Sequence, residues 1–202
     1  MIIVESFGSK DAARTYLVSA SGRKEAILID PASDLESILA RVKQDSLGVR
    51  AILLTHGHLR HAARAQEAAV RLGCKIGAHV AELPALQQLP SLAEQSGLCG
   101  VKAPLVESLL KDKDVMSFGD IVIEVLETPG HSIGDISFHI ESQWFVGDLC
   151  ERSPHDAVLW EESLRKLIRR IGPSGKIHPG HGFPFDAKEL STYLPSSKKG
   201  RK

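Results

Sequence analysis

The sequence has no excess of charge of either sign, no long apolar run and few cysteines. Its 25 Lys and Arg residues balance 25 Asp and Glu residues, which argues against a nucleic-acid-binding or membrane-surface protein. No apolar run approaches the roughly 18 residues that a membrane span requires. The first ten residues, MIIVESFGSK, place no basic segment before an apolar one, so we expect no secretory signal. The 3 cysteines are odd in number and unpatterned, which suits a reducing compartment and predicts a cytoplasmic protein.

What is present is an ordinary globular composition. The chain has 202 residues, of which 43% are hydrophobic and 25% charged, enough to bury a core without disulfide bonds. Because there is no internal repeat and no linker, we expect a single domain over residues 1–195. The segment 196–202 carries four cations and no apolar residue, which predicts a disordered basic tail.

Short apolar runs alternate with helical patterns, which predicts an α/β fold. Strands are expected around 16–18, 26–29, 51–54, 121–126, 136–140, 144–146 and 176–177, and helices over 34–42, 61–72 and 159–171. In the run 136–140 the apolar residues alternate with Ser137 and His139, which predicts one buried and one wet face. Leucines at helical spacing in the segment 81–106 fit a helical flap, a packing element or a dimer element equally well. A homodimer therefore stays open.

Nine histidines stand out against this background. Several follow directly after predicted strands, together with one aspartate: His56, His58, His61, His131, Asp148 and His181. Loops at the carboxyl ends of strands build sites on a rigid frame, and imidazole and carboxylate groups are ligands for zinc or iron. We expect Gly57 to allow a tight backbone path that turns the flanking imidazoles inward.

Four motifs carry these residues in a fixed order: THGHLRH at 55–61, TPGHS at 128–132, FVGD at 145–148 and PGHG at 179–182, after an early Asp-Pro at 30–31. With them the chain resembles the metallo-β-lactamase superfamily up to about residue 185, and within it the glyoxalase II-like hydrolases and the persulfide dioxygenases. The resemblance implies a four-layer αβ/βα sandwich with a metal site at one edge of two facing sheets. It implies a first metal site, a bridging carboxylate and a second site, which correspond here to His56, His58 and His131, to Asp148, and to His61 and His181.

One position departs from the family pattern HxHxDH, because Arg60 stands where the motif has an aspartate. A guanidinium has no lone pair to offer a metal, and its charge repels a second cation. We therefore expect one zinc ion and a weakened second site, with iron as the alternative metal. We also expect Arg60 to point inward, where it pairs with Asp148 or binds an anionic group of the substrate; the alternative is a solvent-facing side chain.

Three functions fit the sequence. The first is a glyoxalase II-like hydrolase of a small thioester or ester, in which Asp148 orients a metal-activated water and the metal or Arg60 stabilises the oxyanion. The second is an oxidoreductase with a single iron, like the persulfide dioxygenases. The third is a non-catalytic descendant that only binds a ligand or partner. The expected partner is a small-molecule substrate, with no nucleic acid and no membrane.

Overall fold

A computed structural model describes residues 1–8, 13–32, 34–151, 154–172 and 174–195; the predicted tail at 196–202 lies outside the described residues. The first of two six-stranded sheets has its strands in sequence order. It is antiparallel from β1 to β3 and parallel from β3 to β6. Its strands are β1 (Ile2–Phe7), β2 (Thr15–Ala20), β3 (Glu25–Ile29), β4 (Gly48–Leu53), β5 (Lys75–His79) and β6 (Val106–Leu110).

The second sheet also follows the chain, in the order β7-β8-β9-β10-β11-β12. Only β10 and β11 are parallel in it. Its strands are β7 (Val115–Phe118), β8 (Ile121–Glu127), β9 (Ile136–Ile140), β10 (Gln143–Gly147), β11 (Lys176–Pro179) and β12 (Phe185–Asp186).

In the described parts of the chain five α-helices accompany the sheets: α1 (Leu35–Gln44), α2 (Leu59–Ala62), α3 (Ala65–Leu72), α4 (Leu83–Gln95) and α5 (Ala157–Arg170). Short 3₁₀ turns lie at Val80–Glu82, Asp148–Cys150 and Ala187–Tyr193. Within the described part of the chain, no helix has both the length and the apolar character that a membrane crossing needs.

Alternate side chains of the strands enter different cores, which fixes the layer order. In β2, Tyr16 and Val18 lie in the core between the two sheets, where Phe138 and Phe145 of the second sheet also lie. Leu17 points the other way, into the core under α1, α3 and α4. A third core fills the space between the second sheet and α5. The expected four-layer αβ/βα sandwich is confirmed.

Two local expectations were wrong. The predicted helix 61–72 is interrupted between α2 and α3, because the Arg64 N–H donates to the Pro31 carbonyl (2.9 Å) and so leaves the helical ladder. The face of β9 that was expected to be wet is partly covered: Ser137 is fully buried and its hydroxyl lies 2.9 Å from Thr128 Oγ1, His139 is half-buried, and Glu141 is exposed. His139 stacks on the Trp144 ring, with 4.1 Å between ring centroids.

The segment 81–106 contains α4, which is a packing element. Leu86 and Leu89 are buried in the core under the first sheet, whereas Leu92 is exposed. α4 lies against α2, the short helix that carries His61. α4 therefore packs against the helix that carries His61 and does not cover the site as a flap would.

The carboxyl ends of β4 and β10 are joined to their neighbours along one edge of the sandwich. Ile136 N–H donates to the Thr55 carbonyl across the two sheets (3.0 Å), and Gly180 N–H donates to the Gly147 carbonyl (2.6 Å). The buried Tyr16 hydroxyl donates to the Pro179 carbonyl (2.6 Å) and so anchors the end of β11 to the first sheet. These bonds hold the loops that follow the strands in one place.

We expect Tyr16→Phe to lower the free energy of unfolding by about 1–2 kcal/mol, because the buried Pro179 carbonyl loses its donor. Urea unfolding of the variant measures this change, with Ser91→Ala on the exposed face of α4 as the control. An unfolding free energy equal to that of the wild type would contradict the anchoring role of the hydroxyl.

Candidate metal centre

The first histidine loop is held by a buried carboxylate at the end of β3. Asp30 accepts hydrogen bonds from Thr55 N–H (2.8 Å) and from the Thr55 hydroxyl (2.6 Å). The Thr55 hydroxyl also lies 3.0 Å from Nδ1 of His56, and the Asp30 carboxylate lies 3.0 Å from Nδ1 of His61. Partners at Nδ1 leave Nε2 of both rings directed at the centre, as in metal sites where an outer carboxylate fixes the histidine tautomer.

A second buried carboxylate, Glu82, joins the two loops that carry His58 and His131. Glu82 is 2% exposed. One of its oxygens accepts from Gly57 N–H (2.6 Å), and the other accepts from the Ser132 hydroxyl (2.6 Å) and from Gly134 N–H (2.7 Å). The carboxylate thus fixes the spacing of the two loops.

Close approach, rather than an unusual dihedral angle, explains Gly57. Its φ is outside the positive region that favours glycine, so the small size of glycine is what the backbone path requires here. A Cβ at Gly57 would lie 2.9 Å from a Glu82 oxygen, and one at Gly134 would lie 2.8 Å from the other. Both glycines make room for the same carboxylate.

Six of the predicted site residues converge around Asp148 in two overlapping groups. We call His56, His58, His131 and Asp148 the first cluster, and His61, Asp148 and His181 the second cluster; within each, the candidate ligand atoms lie within 4.8 Å of one another.

In the first cluster, Oδ2 of Asp148 lies 3.7 Å from Nε2 of His56 and 3.4 Å from Nε2 of His131. Nε2 of His131 is also 3.0 Å from Nδ1 of His58. In the second cluster, Nε2 of His61 is 3.2 Å from Oδ1 of Asp148, and Nε2 of His181 is 3.6 Å from Oδ2.

The donor set fits a metal ion. Among the described buried side chains, Nε2 of His56, Nε2 of His61 and Oδ1 of Asp148 have no hydrogen-bond partner. Unsatisfied buried polar atoms are costly unless something binds them. Imidazole nitrogens with a carboxylate oxygen are suited to zinc or iron. The arrangement is therefore capable of holding a cation.

Burial sets the protonation of the first cluster. It lowers the pKa of His56 well below its ordinary value, assisted by the neighbouring imidazoles, and it also lowers the pKa values of His58 and His131. These rings are neutral near pH 7, and a neutral imidazole is the form that binds metals.

In the second cluster a different balance of burial and neighbouring charge sets the pKa values. Burial would lower the pKa of His61, but the nearby carboxylates of Asp148 and Asp30 outweigh it and raise the pKa to about 10. Burial of Asp148 is likewise outweighed by His181 and His61, which hold its pKa far below the usual range. The carboxylate is thus ionised, and a cation bound at the second cluster would displace the proton on His61.

Arg60 does not join the six. It is exposed on α2 and lines a surface depression together with Leu59 and Leu98. Within the described residues Asp148 pairs only with histidines, so the expected ion pair with Arg60 was wrong. A guanidinium at the surface keeps its hydration, which a place among buried imidazoles would remove.

Sequence reasoning missed two of the residues that build the site. Asp30 was noted only as part of an Asp-Pro pair, without a role. Glu82 lies in a segment without a recognisable motif, and its only sequence signal is the glycine at position 57, whose small size it requires.

Comparison with known proteins agrees with the fold. A family model described as the Metallo-beta-lactamase superfamily matches residues 10–181. Hydroxyacylglutathione hydrolase GloC of Haemophilus influenzae is 31% identical over 135 residues, which is 62% of this chain and 61% of that protein. The crystal structure of BLEG-1 B3 metallo-beta-lactamase matches with a TM-score of 0.82 and 24% identity, covering 96% of this chain and 98% of that chain. TTHA1623 in a di-iron-bound form matches with a TM-score of 0.78 and 26% identity, with the same coverage of 96% and 98%.

We expect Glu82→Gln to weaken metal binding by about 10–100-fold, because an amide cannot accept at both ends and one histidine loop loses its partner. Zinc titration by calorimetry measures the change. Glu94→Gln, on the exposed side of α4, is the control. Wild-type affinity in the Glu82 variant would show that the carboxylate does not position the loops.

Proposed function

The chain belongs to the metallo-beta-lactamase superfamily, whose members are mostly metal-dependent hydrolases, and from this premise we propose that it hydrolyses a small thioester or ester. The observation that carries the proposal is the first cluster: three neutral imidazoles and an ionised carboxylate with unpartnered atoms at an accessible edge. The similarity to a hydroxyacylglutathione hydrolase supports a thioester as the substrate.

We propose zinc as the metal, with His56, His58, His131 and Asp148 as its ligands in the first cluster. Zinc in such a site supplies Lewis acidity and hydroxide near neutral pH. Asp148 is the group placed to hold and orient the attacking water, because its carboxylate is ionised and lies between the two clusters. The first cluster is expected to fill well ahead of the second, since burial already keeps its rings neutral.

The surroundings of the centre suggest an acyl group that is partly apolar. The loops that carry His131 and His181 each expose an apolar side chain two residues further on, Ile133 (77% exposed) and Phe183 (64% exposed). The Arg14 guanidinium lies 5.1 Å above the Phe183 ring and steadies it. These two side chains are the proposed contacts for an apolar segment of the substrate.

Arg60 is proposed as the contact for an anionic group of the substrate. It is exposed, lies on the same short helix as His61, and follows His58 by two residues. An exposed guanidinium on a helix that carries a site residue is a ready partner for a carboxylate or phosphate of a bound substrate.

The second candidate is an iron-dependent oxidoreductase. Two histidines and Asp148 of the first cluster suffice for a single iron, and a similar structure is described in a di-iron-bound form. Elemental analysis after aerobic purification separates the candidates: zinc favours hydrolysis, one iron per chain favours the oxidoreductase, and no metal after supplementation favours a binding protein without catalysis.

His131→Ala should remove the tightly bound zinc and lower thioester hydrolysis by more than about 100-fold, because the first cluster loses a ligand. Metal content and turnover of a hydroxyacylglutathione are measured on the same preparation. His155→Ala, at an exposed histidine, is the control and should retain both. Hydrolysis at the wild-type rate without bound metal would contradict the proposal.

Arg60→Ala should raise KM for an anionic thioester about tenfold and leave kcat unchanged, because an exposed charge-assisted contact is lost. A neutral thioester of similar size should show no change. Arg71→Ala is the matched control, since Arg71 is an α3 arginine that pairs with Glu36. Equal effects on the anionic and neutral substrates would exclude a role in charge recognition.

A further inference from the structure

The second cluster offers three protein donors. Zinc in proteins is bound by four ligands, or by three with a water, and one of the three donors here, Asp148, is shared with the first cluster. Arg60, beside His61, is exposed and has no lone pair to offer. The fourth donor to a second cation is therefore a water or a side chain from another part of the chain.

We propose that Glu151 supplies this donor, so that a second metal ion is held by His61, His181, Asp148 and Glu151. The inference rests on the proposed metal centre and adds to it a ligand that lies outside the histidine motifs. A carboxylate here restores the negative charge that position 60 lacks.

The backbone places Glu151 beside the centre. It ends the 3₁₀ turn Asp148–Cys150, and its N–H donates to the Asp148 carbonyl (2.9 Å). This hydrogen bond fixes the backbone of Glu151 next to Asp148, the residue that both clusters share. Glu151 also lines one surface hollow together with His181 and Gly147.

One side-chain distance places Glu151 next to the second cluster. Oε1 of Glu151 lies 3.8 Å from Nε2 of His181, and the same nitrogen lies 3.6 Å from Oδ2 of Asp148. Two donors of one tetrahedral zinc are about 3.3–3.6 Å apart at metal–ligand distances of about 2.0–2.2 Å. Glu151 lies outside the group of donor atoms that are all within 4.8 Å of one another, so its half-buried side chain has to rotate toward the centre to share an ion with them.

Two unpartnered buried atoms point to an ion in this half of the centre. Nε2 of His61 and Oδ1 of Asp148 face each other at 3.2 Å, and both lack a hydrogen bond. His61 is 0% exposed, and Asp148 is 5% exposed. Glu151 itself has no ionic partner other than His181 among the described residues, so its carboxylate is available.

Glu151 adds a negative charge beside the centre, 3.8 Å from Nε2 of His181. With Asp148 it gives the second cluster two negative charges, which offset the repulsion between two divalent ions.

The test is a titration of the metal-free full chain with Co²⁺ or Zn²⁺, followed by visible absorption and calorimetry. The wild type should show a tight first step and a weaker second step. Glu151→Gln should leave the first step unchanged and weaken the second at least tenfold. Glu151→Asp withdraws the carboxylate by one methylene, so the affinity of its second step should lie between those of the wild type and Glu151→Gln. It also replaces Glu151→Gln in the test if that variant does not fold. Glu161→Gln on α5 is the control and should match the wild type in both steps.

Two results would overturn the role of Glu151: a second step in Glu151→Gln within twofold of the wild type, or a wild type that binds only one ion at millimolar metal. Absence of the first step from the wild type is a distinct result, because it contradicts the proposed metal centre rather than the ligand at position 151.

Discussion

The buried carboxylate of Asp148 is the group on which the rest of the site depends. It lies between 3.2 and 3.7 Å from nitrogens of four imidazoles, those of His56, His61, His131 and His181. A buried charge costs several kcal/mol unless a positive partner compensates it. Four rings whose nitrogens face one carboxylate supply that partner only when a proton or a metal ion lies among them. The centre is thus built for a cation.

The cost of burying an uncompensated charge also applies to the two other buried carboxylates, those of Asp30 and Glu82. Asp30 and Glu82 do not face the centre directly; they accept hydrogen bonds from Thr55, from Gly57 and from the loop after His131. Their negative charge favours positive charge nearby, and their oxygens fix the loops from behind. Orientation and electrostatics are therefore supplied by the same side chains, which is the arrangement that outer-shell carboxylates provide in metal sites.

Much of this could be predicted from the sequence, because its strongest signals are local. Apolar runs end in histidine motifs, and the carboxyl ends of strands build sites in sheet-based folds. That His56, His131 and His181 of two different sheets meet at one centre is what the family resemblance implied. Glu82 could not be found this way, since two of its partners are backbone N–H groups that leave no trace in residue type, and its segment carries no motif. The direction of Arg60 was equally hidden, because hydration of a guanidinium competes with ion pairing and only the packing of α2 decides between them.

Replacement of one ligand position does not dismantle such a centre, because each loop is held by contacts that do not involve position 60. Asp30 fixes the loop of His56 and His61, and Glu82 fixes the loops of His58 and His131. Tyr16 and Gly147 anchor the loop of His181 through backbone carbonyl and amide groups. A change at position 60 alters one side chain without loosening any of these contacts. The geometry of the first cluster therefore stays intact. An arginine in place of an aspartate at position 60 changes only the charge near the second cluster and the number of ligands that it offers.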